Sequence, residues 1–261
     1  MNGSASTAMQ PGAALVTGAA KRIGRAIALD LAEHGWSVAV HYRNSAAEAM
    51  EVARHIEATG RRAVALKADL ADETQVSSLI PRATDALGPL TCLVNNASLF
   101  EMDKVETVTR ASWDAHLETN LRAPLVLSQA FARQVPADGS GVIVNMLDQR
   151  VWNLTPHFLS YTVAKVGLWT LTRTLALAMA PRIRVNGIGP GPTLPSPRQT
   201  PEQFAQQCRA MPLGRGTTLD EICAAVRFIL DTAAMTGQMI ALDGGQHLGW
   251  AQPSRGYIAS E

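Results

Sequence analysis

The chain has 261 residues, 47% of them apolar, enough to bury one sizeable core, and a single α/β domain of this length is ordinary. A net charge of +1, with acidic and basic residues mixed along the chain, gives nucleic acid or a membrane surface little electrostatic support and leaves a small molecule as the expected partner. Three cysteines without C-x-x-C spacing, no signal peptide and no apolar run of about eighteen residues read as a cytoplasmic chain with reduced thiols.

In chain order, residues 1–12 are small and polar, end in Pro11-Gly12 and carry no periodicity, so they are expected to form a disordered leader. Short apolar runs then alternate with helical patterns. The runs are AALVTG, WSVAVHY, RAVALKAD, LTCLVNNA, GVIVNM, RIRVNGIG and GQMIALDGG, and their continuous apolar character is that of strands buried on both faces. Between them lie segments with i, i+3, i+4 apolar recurrence, such as RAIALDLAEHG, stopped by Gly35, and AAEAMEVARHIEATG, stopped by Gly60. The alternation predicts an α/β fold: a doubly wound parallel sheet of about seven strands with helices on both faces, in one domain over residues 13–261. In GPGPTLPSPRQTPEQ, residues 189–203, five prolines exclude a long regular element. A loop of that length in a compact domain reads as a substrate lid, near residues 189–210. The six histidines (His34, His41, His55, His116, His157 and His247) fall at no metal-ligand spacing, so no metal is expected and most are read as solvated surface residues.

In LVTGAAKRIGRAIA, Gly18 follows the first strand and Gly24 opens the first helix. Amides at a helix N-terminus, with no Cβ to hold a phosphate away, make an anion cradle, although a turn needs glycine in any case. The end of the second strand says more. A cofactor with a free ribose 2′-hydroxyl calls for Asp or Glu about twenty residues past the glycines. HYRNSAAEA instead offers Tyr42, Arg43, Asn44 and Ser45, with no acid before Glu48. Arg43 with Ser45 suits a 2′-phosphate, which favours NADPH over NADH; the alternative is an exposed loop charge. Arg22 adds positive charge inside the glycine loop, between Lys21 and Ile23. Asp69 and Leu70 end the third strand, where a carboxylate can accept from an adenine amine. Asn96, Ala97 and Ser98 end the fourth, small enough for a flat ring to approach.

In FLSYTVAKVGLWTLTRTLALAMA, Tyr161 and Lys165 stand at i and i+4, on one face of a helix. An ammonium beside a phenol favours the phenolate and makes the tyrosine a better proton shuttle near neutral pH. Such a pair is common; its weight comes from its position after the fifth strand. Asp148 stands thirteen residues before the tyrosine.

Taken together, T-G-x-x-x-x-x-G from Thr17 to Gly24, Asn95-Asn96-Ala97, Tyr161-x-x-x-Lys165 and Pro190-Gly191 resemble the short-chain dehydrogenase/reductase superfamily over nearly the whole chain. The resemblance implies a Rossmann fold, NADP held along Gly18 to Gly24, at Tyr42 to Ser45, Asp69 and Leu70, Asn96 to Ser98, and Pro190 and Gly191, a proton-transferring Tyr161, and a Lys165 that also holds the nicotinamide ribose. It further implies that Asn120, in ETNLRAP, completes a water relay. A homotetramer built partly on the helix carrying Tyr161 is implied as well, with the tail LDGGQHLGW lying where family tails meet a neighbouring subunit. Two positions depart from the usual pattern. Most members have glycine where Arg22 stands and serine where Asp148 stands, and both changes resemble the pteridine reductase and dihydromonapterin reductase branch. Phe100, in NNASLF, matches the aromatic that sandwiches a pterin against the nicotinamide in that branch; alone it would equally be a core or lid phenylalanine.

The chemistry points the same way. A ketone reductase develops negative charge on oxygen, which a serine hydroxyl stabilises and an ionised carboxylate does not. Reduction of a C=N bond needs a proton at nitrogen, and the amino and ring N–H groups of a pterin suit a carboxylate. The expected activity is hydride transfer from NADPH to a dihydropterin-type substrate, with Asp148, Tyr161, Lys165 and Asn120 catalytic and with Arg22, Phe100, Asp148 and Tyr161 on the substrate. A carbonyl reductase of 3-oxoacyl thioesters is the nearest alternative. An inactive NADPH sensor is a third, which the retained Tyr161, Lys165 and Asn120 disfavour.

Overall fold

The apolar runs form a sheet of seven parallel strands: β1 (Ala13–Val16), β2 (Ser37–Tyr42), β3 (Ala63–Lys67), β4 (Leu90–Asn95), β5 (Gly141–Met146), β6 (Ile183–Pro190) and β7 (Met239–Leu242). They lie in the order β3-β2-β1-β4-β5-β6-β7 in a computed structural model that describes residues 9–249. All residues of β1 and β5 are buried, as continuous apolar strands require when helices cover both faces. Alternate side chains feed two cores. Val16, Val40 and Val144 meet Ile27, Ile56 and Ile229 from α1 (Arg22–Glu33), α2 (Ala46–Ala58) and α8 (Leu219–Asp231). Leu15, Leu93 and Ile143 meet Leu79, Phe131 and Leu175 from α3 (Glu73–Leu87), α5 (Ala123–Gln134) and α6 (Leu159–Met179) on the opposite face. The Rossmann-type expectation therefore holds, with α4 (Arg110–Leu117) and α7 (Pro201–Arg209) beyond the layers. No described helix is long and apolar enough to cross a membrane.

Strand order reverses between β1 and β4, so the carboxyl ends of these strands border a crevice. A buried polar chain ties that region together: Asn95 Nδ2 donates to Asn145 Oδ1 (2.8 Å) across the paired strands, and Asn145 Nδ2 donates to Thr172 Oγ1 (2.9 Å) on α6.

The proline-rich stretch itself holds no long regular element, and α7 begins only at its end, where Pro201 falls in the first turn, its missing amide costs nothing, and Thr200 and Gln203 form a capping box. One expectation needs correction. The end of the expected leader is part of the fold: the Gly12 carbonyl accepts from Ser37 N (2.9 Å) and Met9 packs against the core. Residues 1–8 lie outside the described residues, as does Trp250, the last residue of the tail LDGGQHLGW that was expected to meet a neighbouring subunit.

Phe131 is fully buried beneath Gly141, where an added Cβ would stand 2.8 Å from its ring. Phe131→Ala should lower the unfolding free energy by about 3–5 kcal/mol, read as a shifted denaturant midpoint at unchanged slope. Gly141→Ala should also destabilise by forcing that ring to move.

Candidate active site

A cavity of about 370 Å³ opens at the carboxyl ends of the first four strands. Gly18, Lys21, Arg22, Ile23, Gly24, Arg43, Asp69, Leu70, Asn96, Ala97 and Ser98 line it, together with His41, Leu99 and Thr119. Tyr42, Asn44 and Ser45, at the end of β2, are not among its lining residues. A Cβ at Gly24 would come 2.3 Å from the Gly18 carbonyl and 2.5 Å from Asn96 Nδ2, so only glycine lets the first helix approach β4 this closely. Thr17 Oγ1 accepts from the amides of Asn96 (2.9 Å) and Ala97 (3.0 Å), and Asn96 Nδ2 donates to the Thr17 carbonyl (2.8 Å), which knits the T-G and N-N-A motifs into one wall.

The α1 helix opens on this wall with no acid in its first turn, and Lys21, Arg22 and Arg43 supply positive charge; Lys21 is shared with Glu48 (2.7 Å). An amide-rich helix start with cations, and no acid at the end of β2, fits a phosphate-bearing dinucleotide that carries a 2′-phosphate. Asp69 turns one carboxylate oxygen to its own loop, accepting from Ala71 N (3.0 Å).

His41 is one of the histidines that do not lie at the surface. It is buried, with Nδ1 accepting from Gly18 N (3.0 Å) and Nε2 on the Ala68 carbonyl (3.1 Å). Gly18 itself has φ of 63°, a left-handed conformation that glycine adopts freely. Because Nδ1 accepts, the proton sits on Nε2, and the imidazole is a neutral strut beneath the glycine loop. Burial pushes its pKa down to about 4, against the raising effect of the Ala68 carbonyl.

At the other end of the crevice, β5 and α6 bring Asp148, Tyr161 and Lys165 together. Tyr161 Oη donates to Asp148 Oδ2 (2.7 Å), while Asp148 Oδ1 accepts from Arg150 N (2.8 Å) at the start of the short turn Gln149–Val151. Lys165 Nζ donates to the Met146 carbonyl (2.7 Å) and lies 5.7 Å from the centre of the Tyr161 ring. Burial lowers the Lys165 ammonium to about 8, while the Asp148 charge opposes that fall. Arg150, which sequence reasoning missed, is nearly buried and places its guanidinium 3.7 Å from Asp148 Oδ2. Its position two residues after Asp148 was the only available signal.

Phe100 stacks on Phe158, with centroids 4.3 Å apart and planes within 7°, and presents an edge relation to Tyr161 at 4.7 Å. Phe158 holds a left-handed backbone (φ 58°), rare for a bulky residue, immediately before α6. One face of Phe100 is thus occupied by a second ring. The pair borders a cavity of about 180 Å³ that Arg22, Asp148, Arg150 and Tyr161 share with Leu194, Ser196, Gln199, Phe204 and Gln207. Pro190 and Gly191 line this cavity and a neighbouring one of about 200 Å³ that also reaches Lys165.

Two of the expected site residues also hold neighbouring segments in place. Arg22, itself at φ 55°, donates from Nη1 to the Pro195 carbonyl (2.9 Å) and from Nη2 to the Leu194 carbonyl (3.2 Å), so its guanidinium fastens the proline-rich segment. Arg198 fastens the same segment from the other side, to Glu101 (2.8 Å) and the Phe100 carbonyl (2.8 Å). Asn120 sits in a π-helical stretch, Glu118–Arg122, with both ends of its amide on Leu99: Oδ1 accepts from the amide and Nδ2 donates to the carbonyl, each at 2.8 Å. Its side chain clamps the segment before Phe100.

The unfolded chain holds a proton on His41 below about 6.5, whereas the folded chain takes one only near 4, so stability should fall as pH drops between those values. The loss should be roughly 2–4 kcal/mol across the window. Denaturant titrations at several pH values should show it, and His41→Asn should flatten that part of the curve.

Comparison with known proteins agrees with this geometry. The family described as enoyl-(acyl carrier protein) reductase matches residues 18–247. The 3-oxoacyl-[acyl-carrier-protein] reductase FabG of Staphylococcus aureus is 33% identical over 240 residues, covering 90% of this chain and 98% of that protein. FolM alternative dihydrofolate reductase 1 of Brucella canis, solved complexed with NADP, superposes with a TM-score of 0.91 at 48% identity over 96% of this chain and 100% of its own. The Brucella suis FolM, also in complex with NADP, gives 0.90 at 50% identity over 93% and 97%. Sequence match over most of the chain and structural match to relatives of 48–50% identity lead to one assignment: the chain belongs to the short-chain dehydrogenase/reductase superfamily.

Proposed function

We propose that the protein is an NADPH-dependent reductase that delivers hydride to a ring C=N bond of a dihydropterin-type substrate. The observation that carries this reading is the hydrogen bond from the Tyr161 hydroxyl to Asp148 Oδ2 (2.7 Å) beside an aromatic platform. In a carbonyl reductase the tyrosine proton must reach a substrate oxygen that is gaining charge, and a carboxylate at that place opposes the change. A ring nitrogen that must be protonated suits the pair, with Asp148 and Tyr161 forming the proton path and the carboxylate accepting from the substrate's amino or ring N–H groups. Lys165, held by the Met146 carbonyl behind the phenol, favours the phenolate when Tyr161 gives up its proton. NADPH, when bound, supplies the hydride. Arg43 and the amides of the glycine loop would hold its phosphates, and Arg43 would select the 2′-phosphate. A flat ring stacked on Phe100 would gain on the order of 1 kcal/mol beyond burial. The segment 189–210, pinned by Arg22 and Arg198, acts as the lid. The 48–50% identity with two proteins titled alternative dihydrofolate reductase supports the choice of substrate class. On this reading the protein works in the cytoplasm as a homotetramer.

The second reading is a 3-oxoacyl thioester reductase, favoured by the 33% identity with FabG. Oxidation of NADPH by the purified protein, measured side by side with dihydrobiopterin, dihydromonapterin, dihydrofolate and an acetoacetyl thioester, decides between them. Pterin turnover is expected; turnover of the thioester alone overturns the first reading. Asp148→Ser should depress pterin turnover by about 10²-fold or more while leaving NADPH affinity within a few-fold. Equal losses in both would make Asp148 structural. Arg43→Ala should weaken NADPH about tenfold relative to NADH, measured as dissociation constants by nucleotide fluorescence.

A further inference from the structure

The connection after β4 carries Phe100 and includes no regular structure from residue 96 to residue 103, yet three elements hold it. Asn120 clamps Leu99 from both sides. The Glu101 amide donates to His116 Nε2 (3.1 Å) on α4. The Asp103 carbonyl accepts from Phe158 N (2.9 Å) and Leu159 N (3.3 Å), and Asp103 Oδ1 accepts from Ser160 N (3.1 Å), at the first turn of α6. Ser160 Oγ closes the ring, lying 2.8 Å from His116 Nδ1 and bonded to Asp103 Oδ2. Asp103, His116 and Ser160 are all buried.

The direction of these bonds follows from the chemistry of the groups. A backbone amide can only donate, so His116 Nε2 is the acceptor and the proton is on Nδ1. That N–H faces the Ser160 hydroxyl and the Ser112 carbonyl (2.9 Å). The serine hydroxyl therefore donates to Asp103. Donation runs one way, from Glu101 through His116 and Ser160 to Asp103, and leaves no polar end of the chain unmatched. A nucleophilic triad needs the opposite order, with the imidazole accepting from serine, and none of the three residues lines the cavities described above. What the ring joins is Phe100, next to Glu101, with Tyr161, next to Ser160.

We propose that His116, Ser160 and Asp103 are positioning residues that set the Phe100 ring against the Tyr161 hydroxyl. The assay rests on the reductase reading above, while the positioning itself does not.

The test uses the full-length protein and three variants: Ser160→Ala, His116→Asn and His116→Gln. Gln returns an acceptor near the Nε2 position and keeps the Glu101 bond; Asn keeps only a donor toward Ser160. With NADPH and dihydrobiopterin, kcat should fall about tenfold or more in His116→Asn and Ser160→Ala, and NADPH affinity should stay within twofold. His116→Gln should recover most of kcat at the melting temperature of His116→Asn. Hydrogen exchange at the Glu101 amide should accelerate in the Asn variant and not in the Gln variant. Equal loss in Asn and Gln, loss of turnover in step with melting temperature, or unchanged turnover despite faster exchange at Glu101 overturns the proposal. A wild type that turns over the acetoacetyl thioester and none of dihydrobiopterin, dihydromonapterin and dihydrofolate overturns the pterin reading alone, and the series is then run with the thioester. Where neither is turned over, absence of the exchange contrast between Asn and Gln overturns the positioning.

Discussion

A parallel sheet whose crossovers leave β1 and β4 in opposite directions cannot be covered at the carboxyl ends of those two strands, and every functional feature of this protein is arranged around that gap. The glycine loop closes one side of it and the β5 to α6 junction the other. The gap is polar where backbone ends, so side chains must satisfy it from within. Thr17, Asn96 and His41 do this beneath the cofactor cavity, while Asn95, Asn145 and Thr172 bond one another's side chains behind the tyrosine. Buried groups of this kind stabilise only when each donor has its acceptor, which makes the region rigid and leaves its geometry little freedom.

Rigidity matters most where no regular element supplies it. Phe100, Asp148 and Arg22 all lie outside the sheet and its main helices or at their very ends, yet each is held. Phe158 backs Phe100, the Arg150 amide caps Asp148, and the Leu194 and Pro195 carbonyls engage Arg22. The left-handed backbones at Arg22 and Phe158 fall at two of these points. Strain of that size, on the order of 1–3 kcal/mol at each residue, persists only where surrounding contacts overdetermine it.

Much of the fold was legible because it depends on local patterns. Continuous apolar strands, i, i+3, i+4 helices and the stops at Gly35 and Gly60 (φ 95° and 79°) are properties of short windows. The Tyr161 and Lys165 pair was legible for the same reason, since four residues on a helix set a common face. Misreadings arose where a window gave too little. His41 and His116 could not be told apart from the other histidines, because nothing near them in the chain reveals that Gly18, Ala68, Glu101 and Ser160 converge on their ring nitrogens.

The sequence by itself determined the order and type of the elements, the glycines the first loop requires, and the residue types brought to the site, because side-chain period and backbone sterics act over a few residues. Tertiary structure alone decided which donor meets which acceptor. Arg22 turns to the carbonyls of a segment more than a hundred and seventy residues away, Asn120 turns to Leu99, and one face of Phe100 is covered by Phe158. Hydrogen bonds and ring contacts depend on the relative placement of distant backbone to within a few tenths of an ångström, and that placement is set by the packing of the whole sheet and its helices.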